Sequence, residues 1–100
     1  MSNVSEQMQV EFHNRASEKL FSVYNAFGQS VSNVSRRCEE FRFQQLKKQF
    51  ATTLEQELQG IARNILEKHQ EERLVKGVDL MFHHFIKDYL HRFIQKINDV

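Results

Sequence analysis

From Phe43 to Ile65 apolar residues return every three or four positions: Phe43, Leu46, Phe50, Leu54, Leu58, Ile61 and Ile65. That spacing follows one face of an α-helix, and Gln, Lys, Thr and Glu fill much of the opposite side. The rest of the chain offers no punctuation for a competing fold. It has no proline and only three glycines in 100 residues, whereas β-rich folds need turn residues at regular intervals. The residues between the apolar positions are rich in Glu, Gln, Lys and Arg, which suit helices. An apolar content of 40% is that of a chain with a core rather than of a disordered one. The expected fold class is therefore all-α, in a single domain over residues 1–100.

Three segments divide the chain. In the first, Met8, Phe12, Ala16, Leu20, Phe27 and Val31 share a helical stripe, with Val23 and Tyr24 between them. Ser5 is placed to cap this helix, with Glu6 in its first turn. Serines, a glycine and an asparagine crowd GQSVSNVS; their short side chains compete with the helix for backbone hydrogen bonds, so a corner is expected near 29–35. The second segment continues from about 36 to 68, and Gly60 within it suggests a neighbour approaching closely. In the third, Leu74, Val78, Phe82, Phe85, Tyr89, Phe93 and Ile97 form one stripe, and Met81, Ile86, Leu90 and Ile94 widen it. The expectation is a helical hairpin or three-helix bundle with helices near 5–29, 36–68 and 72–98. The third helix has more apolar surface than one seam needs. Either it is wedged between the other two, or its second stripe meets a partner chain.

The stretch EKHQEER raises the question of a corner or a catalytic cluster. After Ile65 the stripe meets only polar residues from 67 to 73, then restarts at Leu74 and Val78. A turn is expected there, with Glu71 and Glu72 opening the next helix, where acidic residues suit the positive helix end. An uninterrupted helix whose stripe rotates is the alternative.

Candidate chemistry is sparse. His84, Asp88 and His91 share a helix face and are reasonable zinc or iron ligands by type. Two turns separate the histidines, about 10 Å, so one ion would need ligands from a second helix. Without Glu-x-x-His or His-Glu-x-x-His spacing they are expected to form a polar face, as are Asp79 and His83. Cys38 sits between Arg36–Arg37 and Glu39–Glu40, with no recognisable base, and is expected to be an unreactive thiol. No cofactor and no enzymatic activity are expected. The formal charge of +1, from 14 basic and 13 acidic residues, gives no general drive toward nucleic acid, and Lys47–Lys48 is too small a basic cluster to change that. No stretch reaches the roughly 18 apolar residues of a membrane span, and no signal peptide opens the chain. A soluble intracellular protein is expected.

Nine phenylalanines are more than a small core commonly uses. Phe41 and Phe43 lie two apart, so they point to different sides of a helix and only one can join the stripe. Phe41 is thus a candidate partner anchor. Met81, Ile86, Leu90 and Ile94, on the second stripe of the third helix, are the other candidates.

The stretch FATTLEQELQGIARNILEKHQEERLVKGVDLMF resembles the polyamine-modulated-factor family, a subunit of the kinetochore MIND complex. The resemblance rests on Phe50, Leu54, Ile61 and Ile65, then Glu71–Glu72, then Leu74, Val78, Asp79 and Met81–Phe82. RASEKLF, with Arg15 and Leu20, extends it loosely, so it covers about residues 15–85. Where the family has Leu-Asn-x-Leu-Asp, this chain has Val-Lys-Gly-Val-Asp. The resemblance implies the head region of a longer coiled-coil protein, or a shortened member. It also implies a non-enzymatic scaffold in the nucleus, at the centromere, pairing with another helical subunit to link centromeric chromatin to microtubule-binding proteins. Reading the residues alone keeps two further options: a metal- or ligand-binding bundle, and a subunit of another coiled-coil tethering assembly.

Overall fold

A computed structural model of the chain describes residues 4–32, 40–69 and 77–98. Three helices account for nearly all of them: α1 (Val4–Val31), α2 (Glu40–Lys68) and α3 (Val78–Asn98). Side-chain pairings give their directions. Phe27 near the end of α1 meets Phe43 and Phe50 early in α2 and Phe93 late in α3. At the other end Phe12 meets Phe82 and Phe85 early in α3, while Glu11 reaches Lys68 at the end of α2. The helices run up, down and up in a three-helix bundle, a rod of 56 × 19 × 18 Å.

The buried stripes follow the sequence pattern closely in α1, where Met8, Phe12, Ala16, Leu20, Val23 and Phe27 enter the core. In α2 the core takes Phe43, Leu54, Leu58, Ile61 and Ile65 as expected, and adds Ala62 and Leu66. Those additions are physical necessities: α2 packs against both α1 and α3, so its buried face must be wider than one stripe. In α3 the buried line is Val78, Phe82, Ile86, Tyr89, Phe93 and Ile97. The stripes drawn from the sequence exchange two neighbours here: Ile86 lies in the core and Phe85 is only partly buried against it. Leu74 lies outside the described residues. Phenylalanine edges lock the layers, with ring centroids 5.3 Å apart for Phe12 and Phe82 and 5.7 Å for Phe27 and Phe50. Among the described residues no charged side chain is buried.

The helix ends refine the expected boundaries. α1 begins at Val4, so Ser5 lies inside the helix and not at its cap. It persists to Val31, where the Ser32 hydroxyl donates to the Gln29 carbonyl at 2.8 Å; residues 33–39, the rest of the expected corner, are outside the described chain. α2 stops at Lys68, and the His69 N–H is shared between the Ile65 and Leu66 carbonyls, both at 3.2 Å, a fork common at helix ends. α3 starts at Val78, and the expected start near 72 lies outside the described residues. Gly77 has φ 98°, which no α-helix contains, and its carbonyl accepts the first helical bond from Met81 N–H at 2.9 Å. The antiparallel course of α2 and α3 rules out one uninterrupted helix through the charged stretch. Residues 70–76, Glu71 and Glu72 among them, are outside the described chain.

Gly60 differs from expectation. A Cβ built on it meets nothing within 4 Å, so it faces open space and admits no neighbouring backbone.

Candidate functional site

The first half of α2 and the last half of α3 leave a groove between them at one end of the rod. It has a volume of about 480 Å³ and is lined by Phe41, Gln44, Gln45, Lys47, Lys48, Ala51, Ile94, Ile97 and Asn98. Helical spacing explains the lining. Phe41, Gln44, Gln45 and Lys48 lie one turn after another along α2, next to the stripe that enters the core. Phe43, two residues from Phe41, takes the core position at 5% exposure, whereas Phe41 is 77% exposed. Across the groove Ile94 is 43% exposed.

One lysine of the groove is held in place. The Lys47 ammonium donates to Asn98 Oδ1 at 2.9 Å and sits 4.7 Å from the centroid of the Phe43 ring. Its charge is thereby fixed beside the apolar floor, whereas Lys48 stands exposed. Among the described residues no carboxylate lines this groove. Among its described residues the groove joins apolar anchors to positive charge, an arrangement suited to binding.

The other sequence candidates scatter. Met81 and Leu90 are partly buried against the core and Ile86 is inside it, so of the second stripe of α3 only Ile94 is broadly open. His84, Asp88 and His91 are exposed along α3, and among the described residues no three His, Cys, Asp or Glu side chains come together as metal ligands. Asp79 and His83 border a shallow cleft with Arg63 and Phe82. Cys38, Arg36 and Arg37 lie outside the described residues.

Val10, Phe21 and Leu80 are also exposed, at 58%, 68% and 58%. The helical pattern contains the signal for Phe21: it follows the buried Leu20 by one residue, a rotation of about 100° out of the core. The reasoning applied to Phe41 and Phe43 finds it.

Two polar features belong to the bundle itself. Between α1 and α2, Arg15 donates to Asn64 Oδ1 at 2.9 Å, and Lys19 pairs with Glu57 at 3.5 Å. These exposed contacts contribute little stability and chiefly match the register of the two helices. Between α1 and α3, the Tyr89 hydroxyl lies 2.8 Å from His13 Nδ1 and 3.4 Å from Ser17 Oγ. This gives the hydroxyl of a 3% exposed tyrosine its partners and sets the pairing of two helices far apart in sequence. No described helix is long and apolar enough to cross a membrane.

Comparison with protein-family models, with curated proteins and with solved structures returns no match to this chain.

Proposed function

We propose that this chain is a non-enzymatic interaction module, a helical bundle that binds another protein by helix packing. One observation carries the reading: Phe41 and Ile94, exposed at 77% and 43%, face a common groove whose walls are already rigid helices. A large aromatic held out of a core on a fixed scaffold is the kind of residue that anchors interfaces. Val10, Phe21 and Leu80 give the same rod further apolar points for a partner that wraps it.

Within that class the protein is a kinetochore scaffold subunit that pairs with another helical subunit and acts at the centromere in the nucleus. The resemblance of residues 15–85 to the polyamine-modulated-factor family supports this narrower step, and nothing else does. The general reading is tested by co-purification of the tagged chain and its Phe41→Ser and Ile94→Ser variants, with protein identification. A specific partner lost from both variants supports it; a chain that stays monomeric and captures no protein ends it. The kinetochore step has its own test. A fluorescent fusion should concentrate at mitotic centromeres, and a diffuse signal with no kinetochore protein in the captured fraction removes that step alone.

A further inference from the structure

We propose that the groove between α2 and α3 is a docking site for an acidic amphipathic helix of another protein. The proposal rests on the interaction-module reading and names the chemistry of one partner. Its shape comes first. The groove runs along two antiparallel helices from Phe41 to Ala51, a span of ten residue steps along α2, or about 15 Å at 1.5 Å per residue. That length takes two to three turns of a helix lying alongside α2 and α3 as a local fourth member of the bundle, with an apolar side chain seated between Phe41 and Ile94.

Charge decides what surrounds that anchor. Among the described residues Lys47 and Lys48 are the only charged ones on the lining, and Lys47 is already oriented by Asn98. Carboxylates on the flanks of the incoming helix would meet both, and the Gln44 and Gln45 amides can donate to the same groups. Glu40 adjoins Phe41 in sequence but does not line the groove.

The same charges count against other occupants. A second copy placed face to face would set lysines against lysines. The segment 33–39 of this chain, NVSRRCE, carries two arginines against one glutamate, the wrong sign for this groove. A membrane surface favours a projecting basic face, whereas this one is concave with two lysines, each contributing only about 1 kcal/mol toward anionic lipid.

The test uses the full chain and a labelled amphipathic peptide of roughly three helical turns, with leucine on one face and glutamate on the other. Glu→Gln and Glu→Lys counterparts, phosphatidylserine vesicles and a DNA duplex are run beside it. The acidic peptide should bind in a salt-sensitive way and shift the backbone amides of Gln44, Gln45, Lys48 and Ile94 in NMR spectra. Lys48→Glu should weaken binding about five- to tenfold, and Phe41→Ala about tenfold or more. Both positions are exposed, so the helical circular dichroism of the variants should match the parent. Equal binding of the Glu→Gln or Glu→Lys peptide, shifts elsewhere on the rod, or stronger engagement of the same amides by vesicles or DNA would each overturn the proposal. If the peptide fails while Phe41→Ser still abolishes capture of a specific cellular partner, the acidic-helix proposal falls and the interaction-module reading stands.

Discussion

Two glycines in this bundle should respond in opposite directions to the same substitution. Gly60 lies inside α2 with φ in the helical range, and a methyl group there meets nothing within 4 Å. Alanine at that position removes backbone freedom from the unfolded chain and creates no clash, so Gly60→Ala should stabilise the protein by about 1 kcal/mol. Gly77 also has open space around its Cβ position, but its φ is 98°. In that region an L side chain meets its own backbone, and Gly77→Ala should destabilise by roughly 1–2 kcal/mol. For a domain of this size each kcal/mol moves the thermal midpoint by about 4–8 °C. Thermal unfolding followed by circular dichroism at 222 nm should therefore place the two variants roughly 8–24 °C apart, on opposite sides of the parent. A urea series should show the midpoints moving with unchanged slope. If Gly77→Ala left the midpoint unchanged or raised it, residue 77 would not be held in the left-handed region, and the backbone account of the start of α3 would be refuted. If Gly60→Ala lowered it, some neighbour must occupy the space that α1 and α2 leave open.

Further outcomes follow from the core and its seams. Phe12→Ala removes a fully buried ring that meets Phe82, Phe85 and Tyr89; a loss of about 3–5 kcal/mol would consume much of a small domain's stability, visible as a broad or absent unfolding transition. Tyr89→Phe keeps the ring but deletes the hydroxyl beside His13 and Ser17, and chemical denaturation should show a loss of about 1 kcal/mol. A double-mutant cycle on Lys19 and Glu57 should give a coupling of about 0.2–1 kcal/mol that fades with added salt, because both groups are exposed. Phe41→Ser should change stability by less than about 0.5 kcal/mol while removing a partner contact, which separates surface function from folding.

The helices were legible because a 3.6-residue period repeated over 21 to 29 residues leaves little freedom in assigning faces. Phe12, Leu54 and Phe93 could be placed in the core from spacing alone. Phe41 could be placed outside it because Phe43 occupied the only inward direction available. Ile86 and Phe85 could not be separated so. They are adjacent on a helix apolar over a wide arc, and the choice depends on where α1 and α2 lie around it. Gly60 misled for a related reason: sequence marks a missing side chain but not whether anything comes to fill the space. The groove was only half visible, since Phe41 and Ile94 were both candidates while nothing in the linear pattern joined them or brought Asn98 to Lys47.

Composition and periodicity alone determined that this chain is helical, that it has three amphipathic segments, and that a polar run over 67–73 follows the apolar stripe of the second. Those are local properties, set by backbone propensity and by the repeat of side chains around one helix axis. Only the packed structure decided that Ile86 is buried more deeply than Phe85, that Tyr89 meets His13, and that Phe41, Ile94 and two lysines border a single groove. These depend on how three helices divide a common perimeter. Residues 76 positions apart can be neighbours there while adjacent ones face opposite ways.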